Sequence, residues 1–187
     1  MSGKLEVICG SMFSGKTEEL LRRMNRFKYS KKDYILFKTQ IDNRYSEDKV
    51  VSHNKNELSA CVVDSVDELL EVCKKNPHIK NVGIDEVQFL IKTTSIPIEE
   101  AVYKLKKEGY HILVAGLDMD AMGRPFGCLP FLLAIADSVY KLKAVCFDCG
   151  EDASMSHRMN NSKDIVQIGA ADKYKALCPT CWVTQNP

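Results

Sequence analysis

The stretch Gly10-Ser11-Met12-Phe13-Ser14-Gly15-Lys16-Thr17 has the spacing G-x-x-x-x-G-K-[ST]. That spacing commits the chain around it to a strand, a tight turn and a helix. Leu5 to Cys9 reads as the strand, and Glu18 to Met24 as the first turns of the helix. Backbone N–H groups at such a helix start point at a polyphosphate. Lys16 is placed to reach the β- and γ-phosphates, and the Thr17 hydroxyl to sit on Mg²⁺. Gly10 and Gly15 let the backbone approach oxygen atoms with no Cβ in the way.

The rest of the chain repeats the alternation. The helix after the loop is expected to run to about Tyr29, with Leu20, Leu21, Met24 and Phe27 facing a sheet. Arg22, Arg23, Arg26 and Lys28 are expected on its solvated side. Strands are expected at Tyr34–Lys38, Ala60–Val63, Asn81–Glu86, His111–Leu117 and Ser138–Leu142. Ser65 and Glu68 form a capping box that opens a helix through about Lys75. Pro97 opens another helix that closes near Gly109. Leu129–Ala136 reads as a last helix, and Gln40–Asn56 as a long polar excursion with no clear period. The fold class is therefore α/β: a P-loop NTPase-type, mostly parallel sheet flanked by helices. The composition changes near Ala144, which divides the chain into an ATP-binding α/β domain at 1–143 and a small C-terminal zinc-binding domain at 144–187.

Composition narrows the function. The net charge of +1 over 187 residues argues against a dedicated nucleic-acid binder. No apolar run approaches the ~20 residues of a membrane span. The start, Met1-Ser2-Gly3-Lys4, leads straight into strand one, so no signal peptide and a cytoplasmic location are expected. Disulfides are then unexpected, and the eight cysteines need another account. Cys9, Cys61, Cys73 and Cys128 are scattered. Cys146, Cys149, Cys178 and Cys181 form two C-x2-C pairs separated by 28 residues. That pattern points to a structural four-cysteine zinc site, all positions filled by thiolate and none open for catalysis. Such a site pins both ends of the loop Gly150–Leu177, which can then close over a ligand.

Asp85 and Glu86 end an apolar strand that should lie beside the P-loop strand. A strand-end Asp there holds Mg²⁺, and an adjacent Glu can act as a general base. The proton could come from water or from a substrate hydroxyl, and residue type leaves both open. Gln88 and Phe89 follow, suited to an organic base or to the core. Arg124, in Gly123-Arg124-Pro125-Phe126-Gly127, could neutralise a transferring phosphoryl group or lie on the surface.

These residues together resemble the zinc-containing, cytosolic (type II) thymidine kinases. The resemblance runs from Lys4 to Trp182 and includes Asp85-Glu86-Val87-Gln88-Phe89, Gly116-Leu117-Asp118 and Ile168-Gly169-Ala170-Ala171-Asp172-Lys173-Tyr174. It implies ATP-dependent phosphorylation of the thymidine 5′-hydroxyl, and of deoxyuridine, in nucleotide salvage for DNA synthesis. It implies Glu86 as the base, Lys16 and Arg124 as catalytic partners, and Thr17 and Asp85 around Mg²⁺. The nucleotide would lie along Gly10–Thr17, Asp85 and Gln88. Met12, Phe89, Leu117, Ser156, Ile168, Gly169 and Tyr174 would line the nucleoside pocket. A homotetramer inhibited by thymidine triphosphate is also implied, with no nucleic-acid or membrane partner. Ala170 stands where the family often has glycine, and Ser156 where it often has threonine.

Overall fold

Strand β1 (Lys4–Gly10) is buried from Leu5 onward, as a strand covered on both faces must be. The structure is a computed structural model that describes residues 3–39, 49–51, 57–90, 95–159 and 173–185. Around β1 it places β2 (Tyr34–Thr39), β5 (Cys61–Val63), β6 (Asn81–Ile84), β7 (His111–Gly116) and β8 (Ser138–Leu142). These six form one parallel sheet in the order β5-β2-β6-β7-β1-β8. Every strand of a parallel sheet points the same way, so the segments after β1, β6, β7 and β8 all leave from one edge. The phosphate loop, the acids, the Arg124 loop and the cysteines follow those four strands.

The two faces follow from the period of two along a strand. Leu5, Val7 and Cys9 pack with Val82, Ile84, Ile112 and Val114 under helices α2 (Val66–Lys75), α3 (Ile98–Lys107) and α4 (Leu129–Ile135). Ile8 faces the other way, onto Leu20, Leu21 and Met24 of α1 (Lys16–Tyr29). Helix α2 starts as expected: Ser65 Oγ accepts from the Glu68 N–H. The reciprocal bond goes from the Asp64 N–H to Glu68 Oε2.

Three expectations need correction. The strand carrying the acids does not lie beside β1, because β7 stands between them. Strand order is decided by where each crossover helix packs, and nothing within β6 records its neighbour. Helix α1 packs against β1, β7, β6 and β2, so it spans the intervening strand. Next, Asp85 and Glu86 do not belong to the strand, which ends at Ile84. They lead into a single 3₁₀ turn, Val87–Phe89, with Glu86 in the left-handed region at φ 51°. Finally, the polar excursion contributes a strand. Strand β3 (Lys49–Val51) pairs antiparallel with β4 (Glu57–Ser59), and Val50 and Leu58 join the α1-side core.

Arg23 also departs from its expected solvated face. It is 14% exposed and ion-paired to Glu6 and Glu19. Its guanidinium lies 3.6 Å from the Tyr140 ring centroid on β8. Glu6 is the only buried acid of β1 and also meets Lys4 and His111. Burial raises the Glu6 carboxyl, and the bonds from Lys4 and His111 outweigh it, so the net direction is downward. Arg23 thus joins α1 to both β1 and β8.

After β8 the chain forms two small antiparallel ladders, β9 (Ala144–Val145) with β10 (Asp152–Ala153), and β11 (Met155–Arg158) with β12 (Tyr174–Leu177). Helix α5 (Pro179–Gln185) closes the described chain. A separate apolar cluster of Ala144, Cys146, Ala153, Ala176, Leu177 and Cys178 holds this part together, with Phe13 and Trp182 against it.

The start of β1 is pinned by Asp137. Its Oδ2 accepts from the Leu5 N–H at 2.7 Å and meets Lys106 Nζ at 2.7 Å. The Lys106 bond, then the Leu5 N–H, hold this carboxyl below its ordinary value of 3.8. A depressed carboxyl contributes stability above its unfolded value and loses it as pH falls. Asp137→Ala should therefore cost about 1 kcal/mol at pH 7. Urea titrations at several pH values should show the gap between variant and parent closing below about pH 3.8.

Candidate functional site

The phosphate loop begins where β1 ends. Gly10 has φ 144°, and a Cβ there would collide with the Leu142 carbonyl oxygen of β8. Phe13 adopts φ 65° and Gly15 φ 80° before α1 starts at Lys16. Phe13 in this region costs about 1 kcal/mol, so something outside the loop must hold it. Lys16 is buried, and its Nζ donates to the Ser11 carbonyl at 2.7 Å. Burial pushes the Lys16 ammonium below its ordinary range, while Glu86, Asp85 and Asp118 pull it back. Ser14 Oγ is buried and has no hydrogen-bond partner among the described residues.

The acids meet this loop despite the strand between them. Thr17 Oγ1 donates to Asp85 at 3.1 Å from Oδ2. A hydroxyl and a buried carboxylate set together supply two oxygen ligands for a hard cation such as Mg²⁺. Asp85 Oδ1 also accepts the Glu86 N–H at 3.1 Å. Asp118, two residues past the end of β7, is paired with Lys141 at 2.8 Å. Lys16, Thr17, Asp85 and Glu86 are therefore brought together.

Gln88 is 1% exposed, donates to Glu86 Oε2 and accepts the Leu117 N–H at 3.1 Å. Phe89 meets Phe126 edge-on, with centroids 6.0 Å apart. Arg124 is gripped by Asp120: Nε at 3.0 Å and Nη2 at 2.9 Å from Oδ2. The other Asp120 oxygen accepts the Met122 and Arg124 N–H groups. Asp120 was not singled out in the sequence. Its signal was the Asx-turn pattern, an Asp accepting the N–H two residues on.

The four sequence-predicted cysteines converge. Their sulfur atoms all lie within 4.8 Å of one another, and Cys149 Sγ is 3.7 Å from Cys178 Sγ. A tetrahedron with Zn–S bonds of about 2.3 Å has edges of about 3.8 Å, so the cluster fits zinc. Bonds from backbone N–H groups support it, including Gly150 N–H to Cys146 O and Cys181 N–H to Cys178 Sγ.

This cysteine-bearing region docks on the phosphate loop, a contact that spacing could not reveal. Ser11 Oγ donates to the Ala153 carbonyl at 3.3 Å. Met12 N–H donates to Ser156 Oγ at 3.0 Å. Phe13 packs on the cysteine-side cluster. Ser156 is thus buried against the loop's backbone. Tyr174 is buried too, and its hydroxyl accepts from Arg158 Nη2 at 3.1 Å. Ile168 and Gly169 lie outside the described residues.

The chain is similar to known proteins over most of its length. A family model described as thymidine kinase matches residues 3–182. A thymidine kinase of Bacteroides fragilis is 45% identical over 180 residues, which is 96% of this chain and 87% of that protein. One of Bacteroides thetaiotaomicron is 44% identical over 181 residues, 97% and 87% of the two chains. One of Porphyromonas gingivalis is 45% identical over 180 residues, 96% and 85%. Among solved structures, the genome packaging NTPase B204 of Sulfolobus turreted icosahedral virus 2, in complex with ATP-gammaS, superposes with a TM-score of 0.52. It is 17% identical and covers 76% of this chain and 75% of its own, which bears on the fold alone.

Ser156→Ala removes the acceptor of a loop N–H without touching the octet. It should weaken binding of a nucleoside triphosphate by about 1 kcal/mol, roughly fivefold in Kd. Calorimetric titration checks this. An unchanged Kd would mean that the bond does not hold the loop.

Proposed function

The chain belongs to the thymidine kinase family, and from that premise we propose that it transfers the γ-phosphoryl group of ATP to the 5′-hydroxyl of thymidine or deoxyuridine, with Glu86 as general base. The observation that carries the proposal is the convergence of Lys16, Thr17, Asp85 and Glu86 above the ends of β1 and β6. A loose phosphoryl-transfer transition state asks chiefly for positioning and charge stabilisation. ATP with Mg²⁺ supplies the phosphoryl group and part of the charge that screens it. Loop N–H groups within Gly10–Thr17, apart from that of Met12, bind the phosphates, and Lys16 adds a buried positive charge beside them. Thr17 Oγ1 and Asp85 would hold the cation. Glu86 takes the 5′-hydroxyl proton as that oxygen bonds to the γ-phosphorus and the bond to the bridging oxygen of ADP breaks. Arg124 is read as stabilising the phosphoryl group, from a loop whose shape Asp120 maintains.

Met12, Phe89, Leu117, Ser156, Ile168, Gly169 and Tyr174 are read as the nucleoside pocket, on the strength of the resemblance. The four thiolates are read as a structural zinc site for residues 144–187, which cover the substrate as a lasso. Homotetramer formation, inhibition by thymidine triphosphate and a role in DNA synthesis rest on the resemblance as well. No helix among the described residues is long and apolar enough to cross a membrane, and a cytoplasmic location is part of the proposal.

Glu86→Gln should lower kcat about 10²- to 10⁴-fold while ATP still binds. Steady-state rates with labelled ATP, set against a binding titration, check this. Near-normal turnover would end the base assignment.

Chelating the zinc should weaken ATP as well as thymidine binding, because Ser11, Met12 and Phe13 rest on the cysteine-side cluster. Circular dichroism should still show the six-stranded core after both affinities have fallen. Retained ATP affinity in the chelated protein would contradict the coupling.

A further inference from the structure

The amide of Gln88 spans two strand ends. Its Nε2 donates to the carboxylate of Glu86, which follows β6. Its Oε1 accepts from Leu117, which follows β7. The space for it exists because residue 116 is glycine: a Cβ there would collide with Gln88 Oε1. Both ends of the amide are therefore engaged by the protein, and the side chain is 1% exposed.

Its partner is under strain. Glu86 sits at φ 51°, ψ 42°, a conformation that costs a non-glycine residue free energy and persists only where neighbours enforce it. On the backbone, Asp85 Oδ1 accepts the Glu86 N–H. On the side chain, Gln88 grips one carboxylate oxygen. A free glutamate has three side-chain torsions, and this grip removes most of that freedom before a substrate arrives.

We propose that Gln88 is a positioning residue: it clamps the Glu86 carboxylate in its reactive orientation and references it to Leu117, and it does not bind the nucleotide. The inference rests on reading Glu86 as the base. It replaces the expectation that Gln88 is a nucleotide ligand. It also explains why an uncharged amide is needed at this position. A carboxylate could keep the Leu117 bond but could not donate to Glu86, and an aliphatic chain could make neither bond.

The test is a double-mutant cycle. Gln88→Met fills the volume without a donor, and Gln88→Glu keeps the acceptor for Leu117. Each should lower kcat by about tenfold or more with the Kd for ATP unchanged. Adding Gln88→Met to Glu86→Gln should lower kcat no further, because a clamp with no base to hold has nothing left to lose. A merely structural role would instead multiply the two losses, and that result overturns the proposal. So would unchanged kcat in both Gln88 variants, or a weakened Kd for ATP with kcat retained. If Gln88→Met fails to fold, the same cycle is run with Gln88→Glu, read by the same criterion. Near-normal turnover in Glu86→Gln alone sinks the base reading. A low Glu86→Gln rate that falls further by the full Gln88 factor sinks only the clamp.

Discussion

A phosphate cradle is a turn whose N–H groups are kept for a ligand, so it lacks the internal bonds that stabilise other turns. Something else must hold its shape. Here the loop is held at three levels. Its root, β1, is zipped between β7 and β8. Its lysine folds back onto the Ser11 carbonyl. Its outer rim, Ser11 to Phe13, leans on the cysteine-bearing region through two hydrogen bonds and an aromatic side chain. The small apolar cluster of that region is too slight for independent stability. A four-thiolate metal is the kind of staple that such a piece requires.

The second constraint is charge. Asp85, Glu86 and Asp118 crowd the same edge of the sheet, and Lys16 is a buried cation that feels all three. Lys141 pairs with Asp118, and the Thr17 hydroxyl caps Asp85. At the far end of β1, Glu6 and Arg23 form the corresponding network and tie α1 to the sheet. Helix α1 is therefore fastened at its start by the phosphate loop and at its middle by Arg23.

Local physics made much of this legible in advance. The octet, the capping box at Ser65 and the Cys146, Cys149, Cys178 and Cys181 pairs are each defined by residues close in the chain. Their geometry follows from short-range sterics and ligand bite, and the structure has them as expected. Helices α3 and α4 and strands β2, β5, β7 and β8 were readable for the same reason: hydrophobic period and turn residues act within a few positions.

Tertiary structure alone decided what depended on distant partners. That β7 lies between β6 and β1 is a matter of how crossovers pack. That Arg23 leaves the solvent is owed to Glu6 and Tyr140, 17 and 117 residues away. Ser156 turns out to hold Met12 across 144 residues, and Gln88 reaches Leu117 across 29. A residue's type states what bonds it can make. Only the folded chain determines which of the many possible partners stands within 3 Å, because that choice is made by the packing of the whole core and not by any segment of it.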